Sequence, residues 1–329
     1  MADSISAFAI RFHATGGPEV LAAETVDVGE PGPGQVRVRH EAVGLNFIDT
    51  YFRTGLYPAE LPSGLGNEAA GVIEAVGEGV SGLQAGDRIG YFTGPLGAYA
   101  SHRLVEADRL VALPAGIASE QAAAAMLNGC TAEYLIERCA RVQPGQAVLV
   151  QAAAGGVGSI AVQWLKAIGA TVIAHSGNAA KAGLATQLGA DFSFDCPMDQ
   201  LGAKVREVTG GEGVPVVLDG VGAASWEASL ASVARRGLIA SYGNASGPVP
   251  PFSMLDIMRR GSIFVTRPTL FDYCAPVGEM RASAARLFDM MLSGKVEVRV
   301  GARYPLADAA EAHRALEARE TTGSTVLVP

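Results

Sequence analysis

Cysteine is scarce in this chain: Cys130, Cys139, Cys196 and Cys274 form no C-x-x-C pair and no framework of spaced pairs. That excludes a disulfide-stapled fold and leaves reduced, mostly buried thiols as the default. Basic residues are not in excess either. The 25 Lys and Arg against 33 Asp and Glu give a net charge of -8, with a pI of about 5.2, so no electrostatic footprint for nucleic acid is present. No uninterrupted apolar run approaches the roughly 18 residues of a membrane span. Met1-Ala2-Asp3-Ser4 lacks the basic and apolar regions of a signal peptide. There is no G-x-S-x-G nucleophile elbow and no internal repeat. These absences point to a soluble, cytoplasmic protein with no nucleic-acid or membrane partner.

Glycine, by contrast, is abundant: 41 residues, above the usual share of about 7%. The glycines are dispersed among apolar segments, which indicates tight turns and close backbone approach. The most telling group follows the apolar run Ala147-Val148-Leu149-Val150-Gln151. There Ala152-Ala153-Ala154-Gly155-Gly156-Val157-Gly158 opens a helix-periodic stretch with Val157, Ile160, Ala161, Trp164, Leu165 and Ile168 on one face. Strand, glycine turn and helix in that order make a phosphate cradle at Gly155, Gly156, Val157 and Gly158, because amides and the helix dipole converge on an anion there. The first glycine of G-x-G-x-x-G is replaced by Ala153, so context rather than the motif alone points to a dinucleotide.

The end of the next strand discriminates between dinucleotides. An NAD site usually places Asp or Glu there; this chain has His175-Ser176-Gly177-Asn178, then Lys181. Lys181 alone reads equally well as a solvated helix residue. The missing acid favours NADPH, with Lys181 at its 2′-phosphate and Ser176 among the cofactor-binding residues.

Candidate strands at 147–151, 171–174, 191–194, 214–219, 238–242 and 262–266 alternate with helices such as Lys181–Leu188 and Ser225–Ala234. That pattern predicts an α/β domain, a doubly wound parallel sheet over residues 128–267. Its cofactor-facing turns lie at Gly158, Asp219-Gly220-Val221-Gly222 and Gly243-Asn244. Residues 1–127 read instead as an antiparallel, barrel-like unit with strands near 36–43, 69–76, 88–92 and 98–105. A helix (280–292), a strand (296–303), a second helix (306–319) and a last strand (324–328) follow. The last strand needs a sheet, and the N-terminal unit supplies one, so 1–127 and 268–329 form one domain.

Several segments together resemble the zinc-independent quinone oxidoreductases of the medium-chain dehydrogenase/reductase superfamily, related to ζ-crystallin. They are Gly16-Gly17-Pro18-Glu19-Val20-Leu21, Gly44-Leu45-Asn46-Phe47-Ile48-Asp49-Thr50-Tyr51, Gly55-Leu56-Tyr57-Pro58, the Ala152–Gly158 turn, Tyr242-Gly243-Asn244-Ala245-Ser246-Gly247 and Val265-Thr266-Arg267-Pro268. The resemblance implies a GroES-like catalytic domain, a Rossmann domain, and a homodimer built on Rossmann edge strands at Gly261–Arg267. It implies no metal: Asn46 and Gly66-Asn67-Glu68 stand where zinc-dependent members carry Cys and Gly-His-Glu, and an amide is a poor zinc ligand.

The implied reaction is metal-free hydride or electron transfer from NADPH to a quinone in the interdomain cleft. Asn46, Tyr51 and Tyr57 match the family positions beside the nicotinamide: Asn46 as a positioning donor, Tyr51 as donor to the substrate oxygen, Tyr57 as a wall residue. Tyr51 reads alternatively as a core tyrosine. Gly243-Asn244 passes close to the cofactor. Arg319 matches a C-terminal segment reaching the nicotinamide side, or else serves as a cation at a helix C-terminus. Cys196 replaces a tyrosine common in bacterial relatives. Glu68 and His313 read as buried structural groups, while His13 and His175 lack the carboxylate partner of a triad. The rivals are an NADPH-dependent enone or alkenal reductase and a non-catalytic, RNA-binding or crystallin-like protein.

Overall fold

Period-two alternation organises the first part of the chain. In the segment Val36-Arg37-Val38-Arg39-His40-Glu41-Ala42, the valines, His40 and Ala42 are buried, and Arg37, Arg39 and Glu41 face outward or lie half-buried. A half-covered antiparallel sheet follows from such a pattern. The computed structural model describes residues 4–329. It divides into two compact units: one holds the chain up to Asn128 with Cys274–Phe288 and Val298–Pro329, and the other holds Gly129–Tyr273 with Asp289–Glu297.

In the first unit, β1 (Ile5–Phe12), β2 (Ala22–Val28) and β4 (Ser63–Gly64) form a small sheet around β1. The larger sheet uses β3 (Gln35–Leu45), β5 (Glu68–Val76), β6 (Arg88–Tyr91), β7 (His102–Glu106) and β8 (Val111–Ala112). Phe12, Val36, Val38, Leu65, Ile73, Ile89, Tyr91 and Tyr99 fill its core.

The second unit carries β9 (Ala147–Val150), β10 (Thr171–His175), β11 (Phe192–Phe194), β12 (Val214–Asp219), β13 (Val233–Ser241) and β14 (Phe264–Thr266). They pair in parallel in the order β11-β10-β9-β12-β13-β14. Helices Gly156–Ala167, Ala179–Gln187, Met198–Val208 and Trp226–Ser232 link successive strands. The expected doubly wound sheet is therefore present, with β14 at its edge. Its core strands are apolar throughout because helices cover both faces; Leu149, Ile173, Val217 and Ile239 are wholly buried.

Two further strands, β15 (Val300–Pro305) and β16 (Ser324–Val328), complete the first unit. β16 pairs antiparallel with β3, Thr325 opposite Leu45, as the last strand required. Three expectations need correction. The strand placed at 296–303 spans Val300–Pro305, because its partner β16 begins only at Ser324, opposite Val300. The helix placed at 306–319 is a short 3-10 turn followed by Ala309–Glu317. β1 and β2 escaped notice: β2 is Ala-Ala-Glu-Thr-Val-Asp-Val with only Val28 buried, a poor strand former held by β1.

Candidate active site

The carboxyl edge of the parallel sheet is built by glycines. β9 exits through Ala152, whose φ is 53°, and Gly155 caps the helix Gly156–Ala167 without a side-chain bond and with no acid in the first turn. The amides of that first turn have no partner within the helix and face out as donors. Gly158 sits so tightly that a Cβ would lie 2.3 Å from Ala152 O and 2.8 Å from Ala153 Cα. The Ala153 N–H donates to His175 O at 3.0 Å, which ties the turn to β10.

A second turn lies at the end of β12. The buried Asp219 accepts from Val221 N (2.9 Å), Ser225 Oγ (2.7 Å) and Ser229 Oγ (2.6 Å). Gly222 has φ 94°, and a Cβ on Gly243 would meet Gly220 O at 2.3 Å. The Asn244 amide satisfies its neighbours with Nδ2 toward Gly243 O (3.0 Å) and Oδ1 toward Arg267 (3.3 Å). Its side chain is thus committed to shaping the loop.

β10 ends without a carboxylate, as its sequence states. Asn178 Oδ1 accepts from Lys181 N at 2.9 Å, so it is the cap of the helix Ala179–Gln187. Lys181 falls in that helix's first turn, where the dipole disfavours a cation; an anionic partner would offset this. The Ser176 N–H donates to Phe194 O, and His175 Nε2 lies 2.9 Å from Cys196 O. Because a carbonyl only accepts, Nε2 carries the proton.

A dinucleotide fits these residues. Gln151 Oε1, Ser176 Oγ and Ser241 Oγ are buried without a hydrogen-bond partner, and they stand at the ends of β9, β10 and β13. Buried polar atoms of this kind call for a ligand or water.

In the first unit, Asn46, Tyr51 and Tyr57 gather around the helix Phe47–Arg53. Asn46 is its N-cap residue. Tyr51 is buried, and its ring meets Tyr57 edge-on at 5.3 Å and Phe47 at 6.0 Å. The Tyr57 N–H donates to Tyr51 O at 2.9 Å. Asn46 Nδ2 donates to Glu68 Oε2 at 2.7 Å. The amide nitrogen expected as a positioning donor is therefore engaged inside the protein.

Behind Asn46 runs a buried chain of polar groups. Asp49 accepts from Asn46 N (2.9 Å), Tyr99 Oη (2.9 Å) and Asn67 Nδ2 (3.4 Å). Tyr99 Oη lies 3.1 Å from His313 Nε2, and His313 Nδ1 lies 2.9 Å from Arg53 Nη1. Arg53 reaches Glu317 at 2.6 Å. An arginine can only donate, so Nδ1 of His313 accepts and Nε2 holds its proton; Tyr99 then donates to Asp49. Burial pushes Asp49 up to about 7 and Glu68 up to about 8, and it pushes His313 down to about 3.

Glu68 and His313 are buried as expected. One reading was wrong: His13 does have a carboxylate partner, Glu24 of β2, at 2.5 Å, but the pair is an exposed contact made just past the end of β1. Arg319 follows the helix Ala309–Glu317 in the left-handed region, φ 60°. Its N–H donates to Leu316 O, and that of Glu320 donates to Ala315 O. These are the two bonds of a Schellman turn, with arginine where glycine is usual. Sequence reasoning missed Asp49, Tyr99 and Arg53, which form one buried chain with His313 across long separations. Among the described residues, no three His, Cys, Asp or Glu side chains gather as a metal would require, and no helix is long and apolar enough to cross a membrane.

Residues 32–115 match the family described as alcohol dehydrogenase GroES-like domain, and residues 156–274 the family described as zinc-binding dehydrogenase. The quinone oxidoreductase of Pseudomonas aeruginosa is 49% identical over 321 residues, 97% of this chain and 99% of that protein. The crystal structure of Escherichia coli quinone oxidoreductase complexed with NADPH superposes with a TM-score of 0.96 at 45% identity, covering 98% of this chain and 100% of that one. The 2-haloacrylate reductase of a Burkholderia species is 41% identical over 324 residues, 96% of this chain and 97% of that protein. The chain belongs to the quinone oxidoreductase family of the medium-chain dehydrogenases/reductases.

Proposed function

We propose that this protein is an NADPH-dependent quinone reductase. The observation that carries the proposal is the acid-free end of β10 beside a glycine cradle, in a chain alike end to end to an NADPH-bound quinone oxidoreductase. NADPH, when bound, supplies a hydride from its nicotinamide; with one proton, the quinone leaves as hydroquinone.

The amides of Gly155, Gly156, Val157 and Gly158 hold the pyrophosphate, and Ser176 and Lys181 meet the 2′-phosphate. Gly243-Asn244 forms a backbone wall for the cofactor, and Arg319 lies toward its nicotinamide side. Residues 128–267 act as the cofactor domain and the rest as the catalytic domain. Asn46 orients the reactants, Tyr51 donates to the quinone oxygen as negative charge develops, and Tyr57 shields the site. A quinone is electrophilic enough for neutral donors to suffice.

We place the protein in the cytoplasm, where its four free thiols would stay reduced. Its partner is a second copy paired through β14. Phe264 is 64% exposed there, and Met254 and Met258 on the nearby helix are 76% and 57% exposed, a liability unless covered.

A second reading, reduction of an α,β-unsaturated carbonyl, draws support from the likeness to a 2-haloacrylate reductase. Oxidation of NADPH and NADH at 340 nm, with 1,4-benzoquinone or an enone as acceptor, separates the two. Turnover with the enone alone would overturn the quinone reading.

A further inference from the structure

Two buried carboxylates hold Asn46 from opposite ends. Asp49 Oδ2 accepts its backbone N–H at 2.9 Å, and Glu68 Oε2 accepts its side-chain Nδ2 at 2.7 Å. Glu68 is wholly buried, and its other oxygen accepts the Leu127 N–H at 2.7 Å. The backbone makes room for this acid. Gly44 lies opposite Glu68 in the β3–β5 register, and a Cβ at position 44 would lie 2.3 Å from both Glu68 Oε2 and Ala123 O. A buried carboxyl group is costly, and an apolar replacement of similar volume is often neutral or stabilising. A dedicated glycine and a short bond to a site residue indicate that this acid is kept for where it points.

We infer that Glu68 is a positioning residue of the hydride-transfer site, fixing the Asn46 side chain by its amide nitrogen and so setting which end of that amide meets the reactants. The inference rests on the assignment of Asn46 to that site. The two ends of an amide differ little in shape, and a half-turn about Cβ–Cγ exchanges donor for acceptor. An ionised carboxylate selects the nitrogen end because it can only accept. A neutral acid also donates and tolerates either end.

Three elements act on Glu68. Asn46 and Asp49 come from the start of the helix Phe47–Arg53, the Met126 and Leu127 amides come from the helix Ser119–Glu133, and Gly44 comes from β3. Burial of the site, and after it the charge of the titratable neighbour Asp49, hold Glu68 up, to about 8. The orientation of Asn46 is accordingly tied to pH in the weakly alkaline range.

The test is a double-mutant cycle in the full-length enzyme, with NADPH and 1,4-benzoquinone. Glu68→Gln keeps the volume but offers Asn46 both a donor and an acceptor. Above about pH 8, where the wild-type acid is ionised, it should lower kcat about tenfold, as a modest misplacement does, and it should leave the NADPH Kd within about twofold. It should also remove an inflection near pH 8 from the kcat profile. In the Asn46→Ala background the same change should have no further effect, because the two residues act as one unit. Equal losses in both backgrounds would overturn the inference while leaving Asn46 in the site. An Asn46→Ala variant with full turnover would remove the Asn46 assignment and the inference together. Should Glu68→Gln not fold, the side-chain amide signal of Asn46 in 15N-asparagine-labelled wild type, identified by its loss in Asn46→Ala, gives the answer. It should titrate with a midpoint near pH 8, and a signal unmoved between about pH 6.5 and 9.5 would equally overturn the inference.

Discussion

Gly158→Ala puts the phosphate cradle to a quantitative test. The new Cβ would sit 2.3 Å from Ala152 O and 2.8 Å from Ala153 Cα, backbone atoms that no rotamer change can move aside. Restoring a contact of ~3.5 Å requires the helix start to shift from the turn by about 1 Å. Overpacking of this kind costs ~1–3 kcal/mol, and replacing glycine in a helix returns ~1 kcal/mol. The unliganded protein should therefore lose at most ~2 kcal/mol, or ~4–8 °C of melting temperature for a domain of this size. The cofactor should suffer more, since a misplacement of ~1 Å can cost ~100-fold. At an NADPH concentration 100 times the wild-type Kd, binding stabilises wild type by ~2.7 kcal/mol; a variant with 100-fold weaker binding gains only ~0.4 kcal/mol. Melting with and without NADPH should thus show a ligand-induced shift falling from ~5–11 °C to ~1–2 °C. A variant that melts earlier yet keeps the full NADPH-induced shift would refute the cradle.

Stability should also depend on pH in a defined window. Asp49 and Glu68 are raised to about 7 and about 8 by burial, so the folded state keeps protons that the unfolded chain has lost, and stability falls as pH rises toward those values. His40 and His313, both pushed down to about 3 by burial, work the other way: their neutral folded forms cost stability only as pH drops below about 6.5. Between about pH 6.5 and 8 only the carboxylate effect operates, so chemical denaturation should show a decline that Asp49→Asn and Glu68→Gln flatten; an unchanged slope in both variants would contradict the protonation scheme. Lys181→Ala should weaken NADPH about 10–100-fold and NADH little, and equal losses by fluorescence titration would remove the 2′-phosphate contact. Tyr51→Phe should lower kcat with quinone about 10-fold or more without changing NADPH affinity, and unaltered turnover would return Tyr51 to the role of a core side chain.

What could be read before folding was local. The Rossmann strands announce themselves as short apolar runs separated by glycine turns, and the acid-free exit at His175-Ser176-Gly177-Asn178 is visible as written. The last strand's need for a partner pointed to the N-terminal unit, and there it pairs with β3. What escaped depends on contacts far apart in the chain. Arg53 and Glu317, or Tyr99 and His313, meet only after β3, β5 and the helix Ala309–Glu317 assemble, and no periodicity marks them. Asp49 enters the sequence reading only as part of the Gly44–Tyr51 segment, although three donors converge on it. The sequence singles out Asn46 as a candidate, but not that its amide nitrogen is spoken for by Glu68. β2 failed for another reason: its composition is that of a solvated segment, and pairing alone makes it a strand.

The pairing of Thr325 with Leu45 bears on how the chain comes off the ribosome. At ~5–20 residues per second, β3 waits on the order of 15–60 s for the strand that covers its flank. The parallel sheet assembles from neighbours that emerge close together, whereas the first unit stays open on one side until β15 and β16 arrive. For that interval β3 presents Val43, Gly44 and Leu45 with unmet backbone groups. Chaperone engagement of the nascent chain should therefore centre on this strand, and a release-defective ribosome that holds back the last residues should display an assembled nucleotide sheet beside an unfinished first sheet.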